Sequence, residues 1–100
     1  MKLYLDKEMK QEVKENTLDL GIVKAGESQR YIFYILNDTK AELLGMEFFV
    51  GHKEVKIEEA PKKLDANKSG ELILEWSPSI DLKEGLKTSI KISADELYSE

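Results

Sequence analysis

The sequence predicts an all-β sandwich. Three observations carry that expectation. Apolar residues recur with a period of two rather than 3.6, turn residues punctuate the chain at strand-length intervals, and no segment shows a sustained helical stripe.

The elements follow in chain order. Leu3 and Leu5 alternate with Lys2, Tyr4 and Asp6, the pattern of a short first strand. Residues 7–15 are charged, with Met9 and Val13 as their only apolar anchors, and read as a connecting turn or an irregular edge strand. Gly21 and Ala25-Gly26-Glu27-Ser28 are turn signals. Residues 29–37 contain Tyr31-Ile32-Phe33-Tyr34-Ile35-Leu36 without a polar break. β-branched and aromatic residues favour a strand there, and Asn37-Asp38-Thr39 ends the run too soon for a helix. Residues 43–50 are apolar on both faces, interrupted by Gly45 and Glu47. Beyond the Gly51-His52-Lys53 turn, Val55 and Ile57 alternate with Glu54, Lys56 and Glu58. Ala60-Pro61 and Asn67-Lys68-Ser69-Gly70 mark further turns. Leu72, Leu74 and Trp76 then point one way, and Glu71, Ile73 and Glu75 the other. After Ser77-Pro78-Ser79 and Glu84-Gly85 comes the clearest strand, residues 86–93. It places Leu86, Thr88, Ile90 and Ile92 on a buried face and Lys87, Ser89 and Lys91 on a wet one. Residues 94–100 are expected to be a polar tail.

Length and composition narrow the function. One hundred residues suffice for a single domain, 1–100, with one continuous core. The chain is 41% hydrophobic and 35% charged, a foldable mixture. A net charge of -5 repels phosphate backbones, so no nucleic-acid partner is expected. Lys62-Lys63, Lys53 and Lys56 are small basic spots that lack the breadth of a nucleic-acid surface. No cysteine is present, which excludes disulfides, thiolate zinc sites and cysteine nucleophiles. His52 is the single histidine, and nothing in the sequence marks a nucleophile or an orienting acid for it. Neither catalysis nor a cofactor is expected. A charge appears by Asp6 and no apolar run reaches the length of a signal peptide or membrane span. The expected location is the cytoplasm or an assembly formed there, without membrane contact.

The order of these motifs resembles a known family. Leu18-Asp19-Leu20-Gly21-Ile22-Val23-Lys24-Ala25-Gly26-Glu27 is similar to the opening of the abnormal-spindle and hydin type of immunoglobulin-like domain, which is related to the major sperm protein fold. Ile35-Leu36-Asn37 matches the apolar-x-Asn end of that family's next strand. Leu64 through Leu72-Leu74-Trp76-Ser77-Pro78 matches its loop and its aromatic-x-Pro strand, and residues 86–92 match its final strand. The likeness covers residues 16–93. It departs at Asp65-Ala66-Asn67-Lys68-Ser69-Gly70, where the family usually carries Pro-Gly. The resemblance implies an immunoglobulin-like β-sandwich of seven to eight antiparallel strands that serves as a structural or protein-docking module.

Two groups of residues stand out as candidate sites. Asp65, Asn67 and Ser69 place oxygen donors at alternate positions before Gly70, the start of a calcium-loop pattern. The closing acid is missing, because Trp76 stands where it should and Glu75 falls one place early. A polar turn is the better reading, and no metal is expected. The register implied by the family turns Phe33 and Ile35 inward, which leaves Ile32, Tyr34 and Leu36 on the outer face, with Ile73 outward on its own strand. Such an apolar outer face needs a cover, either the chain's own Leu3-Tyr4-Leu5 strand or Met9, or a partner protein. The expected function is therefore a non-catalytic interaction module. Its partner would be a large assembly such as a bacteriophage virion, where it would be a head-decoration, neck or tail component. A small-ligand domain that binds calcium or carbohydrate is the alternative.

Overall fold

Alternation and turn chemistry together produce seven strands in the computed structural model, which describes residues 1–98. They are β1 (Lys2–Tyr4), β2 (Thr17–Gly21), β3 (Gln29–Leu36), β4 (Ala41–Val50), β5 (Val55–Glu59), β6 (Ser69–Trp76) and β7 (Leu86–Tyr98). No helix forms among the described residues. The strands make two antiparallel sheets in a sandwich-like arrangement, one in the order β1-β3-β6-β5 and the other β2-β7-β4.

The period of two sets which side chains meet between the sheets. Leu3, Phe33, Ile35, Val55, Leu72, Leu74 and Trp76 from the first sheet pack with Leu18, Leu20, Leu43, Met46, Leu86 and Ile90 from the second. Trp76, Leu72, Leu74 and Ile35 are completely buried. Of the core residues expected from the pattern, only Ile92 is half-buried, at the margin of the cluster. Tyr31 stacks on Phe33, and its hydroxyl donates to the Leu20 carbonyl at 2.6 Å, a hydrogen bond that crosses between the sheets.

Asn37 ties one end of the sandwich together. It is fully buried, and its Nδ2 lies 2.7 Å from the Ala41 carbonyl, 3.0 Å from that of Leu64 and 3.1 Å from that of Asp65. Its Oδ1 accepts from the Thr39 amide and hydroxyl. One side chain thus satisfies backbone groups from the β3–β4 turn and the β5–β6 loop, as buried polar groups must be.

Three expectations need correction. The C-terminal segment is not a tail from residue 94, because β7 continues to Tyr98. Residues 95–98 pair with residues 41–44 of β4, and a partner strand supplies backbone bonds that polar composition alone does not predict. Ser99 and Glu100 lie outside the described residues. The first strand stops at Tyr4, since the Leu5 amide turns away to the Gln11 carbonyl. The expected alternation in β5 breaks at a bulge between Ile57 and Glu59.

Candidate interaction face

The outer face of the four-stranded sheet follows directly from its register. Arg30, Glu75 and Lys56 form one row across β3, β6 and β5, and Ile32, Ile73 and Glu59 form the next. Tyr4, Tyr34 and Glu71 make a third row, and Lys2, Leu36 and Ser69 a fourth. Charged residues therefore border an apolar centre.

Each residue expected on this face has a definite state. Ile32 is 47% exposed, a large β-branched side chain left open to water. Tyr34 and Leu36 are half-buried. Ile73 is not a wet contact residue, and this overturns one expectation. Only 9% of it is accessible. Its flanking partners are Ile32 and Glu59, and the Arg30–Glu58 ion pair at 2.6 Å crosses β6 beside it. Glu58 lies on the outer side by plain alternation with Lys56, and the β5 bulge turns Glu59 to the same side beside it.

The chain supplies part of its own cover. Leu3 turns into the core, but Tyr4 lies beside Tyr34 on the outer face. Met9, Tyr34, Pro61 and Gly70 line an open concavity of about 550 Å³, and Lys7, Glu59 and Glu71 contribute its charges. Met9 is held there by the loop before it. The Asp6 carboxylate accepts from the Lys10 amide at 3.0 Å and the Gln11 amide at 2.8 Å. These backbone bonds, Gln11's foremost, hold the Asp6 carboxyl below the usual aspartate value. Met9 itself takes a positive φ of 59°, which an aspartate-capped turn can impose. Both covers considered from sequence thus contribute, yet Ile32 stays open.

The Asp65 loop is a hydrogen-bonded turn. The Lys68 amide donates to the Asp65 carbonyl, Asn67 takes a φ of 60°, and Ser69 has joined β6 opposite Leu36. The Asp65 carbonyl also accepts from Asn37, so it faces inward. Among the described residues no cluster of three or more His, Cys, Asp or Glu side chains could hold a metal ion. His52 is half-buried, and its Nδ1 accepts from the Glu54 amide at 3.2 Å, closing the turn before β5. Among the described residues no helix is long and apolar enough to cross a membrane.

Sequence reasoning missed the Arg30–Glu58 pair and the concavity. Neither has a local signal, since both join residues far apart in the chain. No protein-family model, curated protein or solved structure matches this chain.

Proposed function

We propose that this chain is a non-catalytic interaction module, an immunoglobulin-like sandwich that docks on a larger protein assembly through Ile32, Tyr34 and Leu36. The exposure of Ile32 beside the Tyr34 concavity carries this reading. Removing roughly 100 Å² of apolar surface from water there is worth about 2.5 kcal/mol, of which association entropy takes back a part. The immunoglobulin-like assignment is supported by strand order. Naming β1, β3, β6 and β5 as A, B, E and D reproduces the four-stranded sheet of that fold, with β4 and β7 as C and F. β2 then occupies the place beside β7 where the final strand of that fold would lie. The sequence resemblance to the abnormal-spindle and hydin type points the same way. The assembly we favour is a bacteriophage virion, in which small immunoglobulin-like domains act as decoration and connector elements. The chain would be found in that particle or in the cytoplasm where it forms.

The test compares Tyr34→Lys with Phe33→Lys. Phe33 is core, so a lysine there buries an unpaired charge and unfolds the domain. Tyr34→Lys should leave the thermal midpoint close to that of the parent chain while abolishing retention of structural proteins co-expressed from neighbouring genes. If Tyr34→Lys unfolds the isolated chain as badly as Phe33→Lys, the outer face is internal packing and the reading fails.

A further inference from the structure

The two edges of β7 are unequally covered. One edge pairs with β4 from Val50↔Ile90 to Ala41↔Tyr98. The other pairs with β2 only from Leu86 to Ser89. The last bond on that side runs from the Ile90 amide to the Asn16 carbonyl, at 2.8 Å. The Gly51 amide meets the Ser89 carbonyl on the β4 side, so odd-numbered residues of β7 direct their backbone groups toward β4. Even-numbered residues direct theirs the other way. The irregularity in this pairing lies in β4, between Leu44 and Glu47, and leaves β7 itself in register. The N–H and C=O groups of Ile92, Ala94, Glu96 and Tyr98 therefore face an edge on which no described residue forms a strand pair.

A second observation points to an occupant. A cavity of about 290 Å³ opens where this edge begins, lined by Leu3, Asn16, Ile90 and Ile92 with Lys2 and Lys91. Ile92 and Ala94 are half-buried toward the core, so an added strand would set its inward side chains against apolar neighbours. The charge along the rest of the edge is one-sided. Asp95 and Glu96 lie on β7, and Glu42 and Glu47 lie on β4 opposite Leu97 and Ser93. A second copy pairing antiparallel over residues 92–98 would set Asp95 against Asp95 and crowd both sets of acids, which is unfavourable. Charged edges of this kind guard against self-association. They favour a strand of opposite charge.

We propose that the open edge of β7, residues 92–98, accepts an extended segment of another protein as an added strand, and that this segment alternates apolar side chains with lysine or arginine. Main-chain bonds to Ile92, Ala94, Glu96 and Tyr98 supply attachment, and the alternating side chains supply selectivity. This edge belongs to the other sheet from Ile32 and Tyr34, so it stands whether or not that face docks.

Amide hydrogen exchange resolved by NMR tests it, using a capped peptide of alternating valine and lysine and its glutamate counterpart. In the free chain the amides of Ile92, Ala94 and Glu96 should exchange fast, while those of Lys91, Ser93 and Leu97 are protected by β4. The lysine peptide should slow the first group by about tenfold or more, and the glutamate peptide should not. Ala94→Pro removes one edge-facing N–H and should abolish that protection. Combined Asp95→Lys and Glu96→Lys, both at exposed positions, should reverse the preference and keeps the test decisive if the proline variant does not fold. Equal response to both peptides overturns the proposal. So does concentration-dependent protection without peptide, which would mean a second copy on the edge, and so do peptide-induced changes confined to Ile32 and Tyr34.

Discussion

Trp76 shows how one side chain can be both the centre of a core and a liability in it. It is completely buried, yet its indole Nε1 has no acceptor among the described residues. A buried donor left unpaired costs about 1–3 kcal/mol. Trp76→Ala should destabilise by roughly 3–5 kcal/mol through the cavity it leaves. Trp76→Phe keeps most of the volume and deletes the orphan donor, so it should cost clearly less, as read from urea midpoints. Equal losses would mean that Nε1 is satisfied in solution. Asn37 is the opposite case, a buried polar group with every partner in place. Asn37→Ala should cost on the order of 3 kcal/mol, because it strands several carbonyls. Asn37→Asp should be no better at neutral pH, since a carboxylate cannot donate to those carbonyls. A midpoint for Asn37→Asp near that of the parent chain would show that the cluster contributes little.

Individual elements owe their placement to turns. Gly85 closes the turn into β7, with its amide on the Leu82 carbonyl and a φ of +79°. A Cβ there would stand 2.6 Å from the Gly21 carbonyl oxygen, at the end of β2. Gly85→Ala therefore meets backbone as well as an unfavourable φ, and should lower stability by on the order of 1–3 kcal/mol. Gly26→Ala has a similar φ of +85° with open space around it, and should cost less. Comparing the two melting temperatures separates crowding from conformational strain. The Asp65 loop makes the matching negative prediction. Millimolar calcium should leave the melting temperature unchanged, because the closing carboxylate is missing. A rise of several degrees that chelator reverses would make Asp65, Asn67 and Ser69 ligands after all.

At the scale of the molecule, the 19 Å short dimension fits two sheets about 10 Å apart with their outer side chains. The apolar core between the sheets holds those layers together, and two ionisable groups couple the stability of the fold to pH. The Asp38 carboxyl lies below its ordinary value of 3.8, first because the N-terminal ammonium donates a hydrogen bond to it. A depressed acid contributes its stability above its unfolded value and loses it as pH falls through the folded one. Tyr31 lies above its ordinary value of 10.0, chiefly through burial and then through the charge of Asp19. A raised tyrosine keeps its contribution below the unfolded value and loses it as pH rises beyond it. The thermal midpoint should therefore fall on the acid side of about pH 4 and the alkaline side of about pH 10. Asp38→Asn should make the acid limb shallower, and Tyr31→Phe the alkaline limb. Unchanged limbs in both variants would assign the pH dependence to other groups.

How much of this was legible in the sequence depends on the range of the interaction concerned. Alternation is a local property of an extended backbone, so Leu72, Leu74, Trp76 and Ile90 could be assigned to the core from spacing alone, whereas Phe33 and Ile35, in an unbroken apolar run, were turned inward only by the register that the family resemblance implies. The same resemblance marked Ile32, Tyr34 and Leu36 as outer residues. Alternation marked Ile73 as outer too, but could not tell that it would be buried there between Ile32 and Glu59. Composition suggested that residues 94–98 would be loose, and β4 made them strand by pairing with them. The bulge that turns Glu59 to the side of Glu58, and the loop that sets Met9 near Tyr34, likewise arise from contacts across sheets and turns. Shared faces within the regular strands were determined by the sequence itself, because alternation depends only on the immediate backbone. Neighbours, covered faces and the open edge of β7 were decided only by the tertiary structure, because each depends on segments distant in the chain meeting in space.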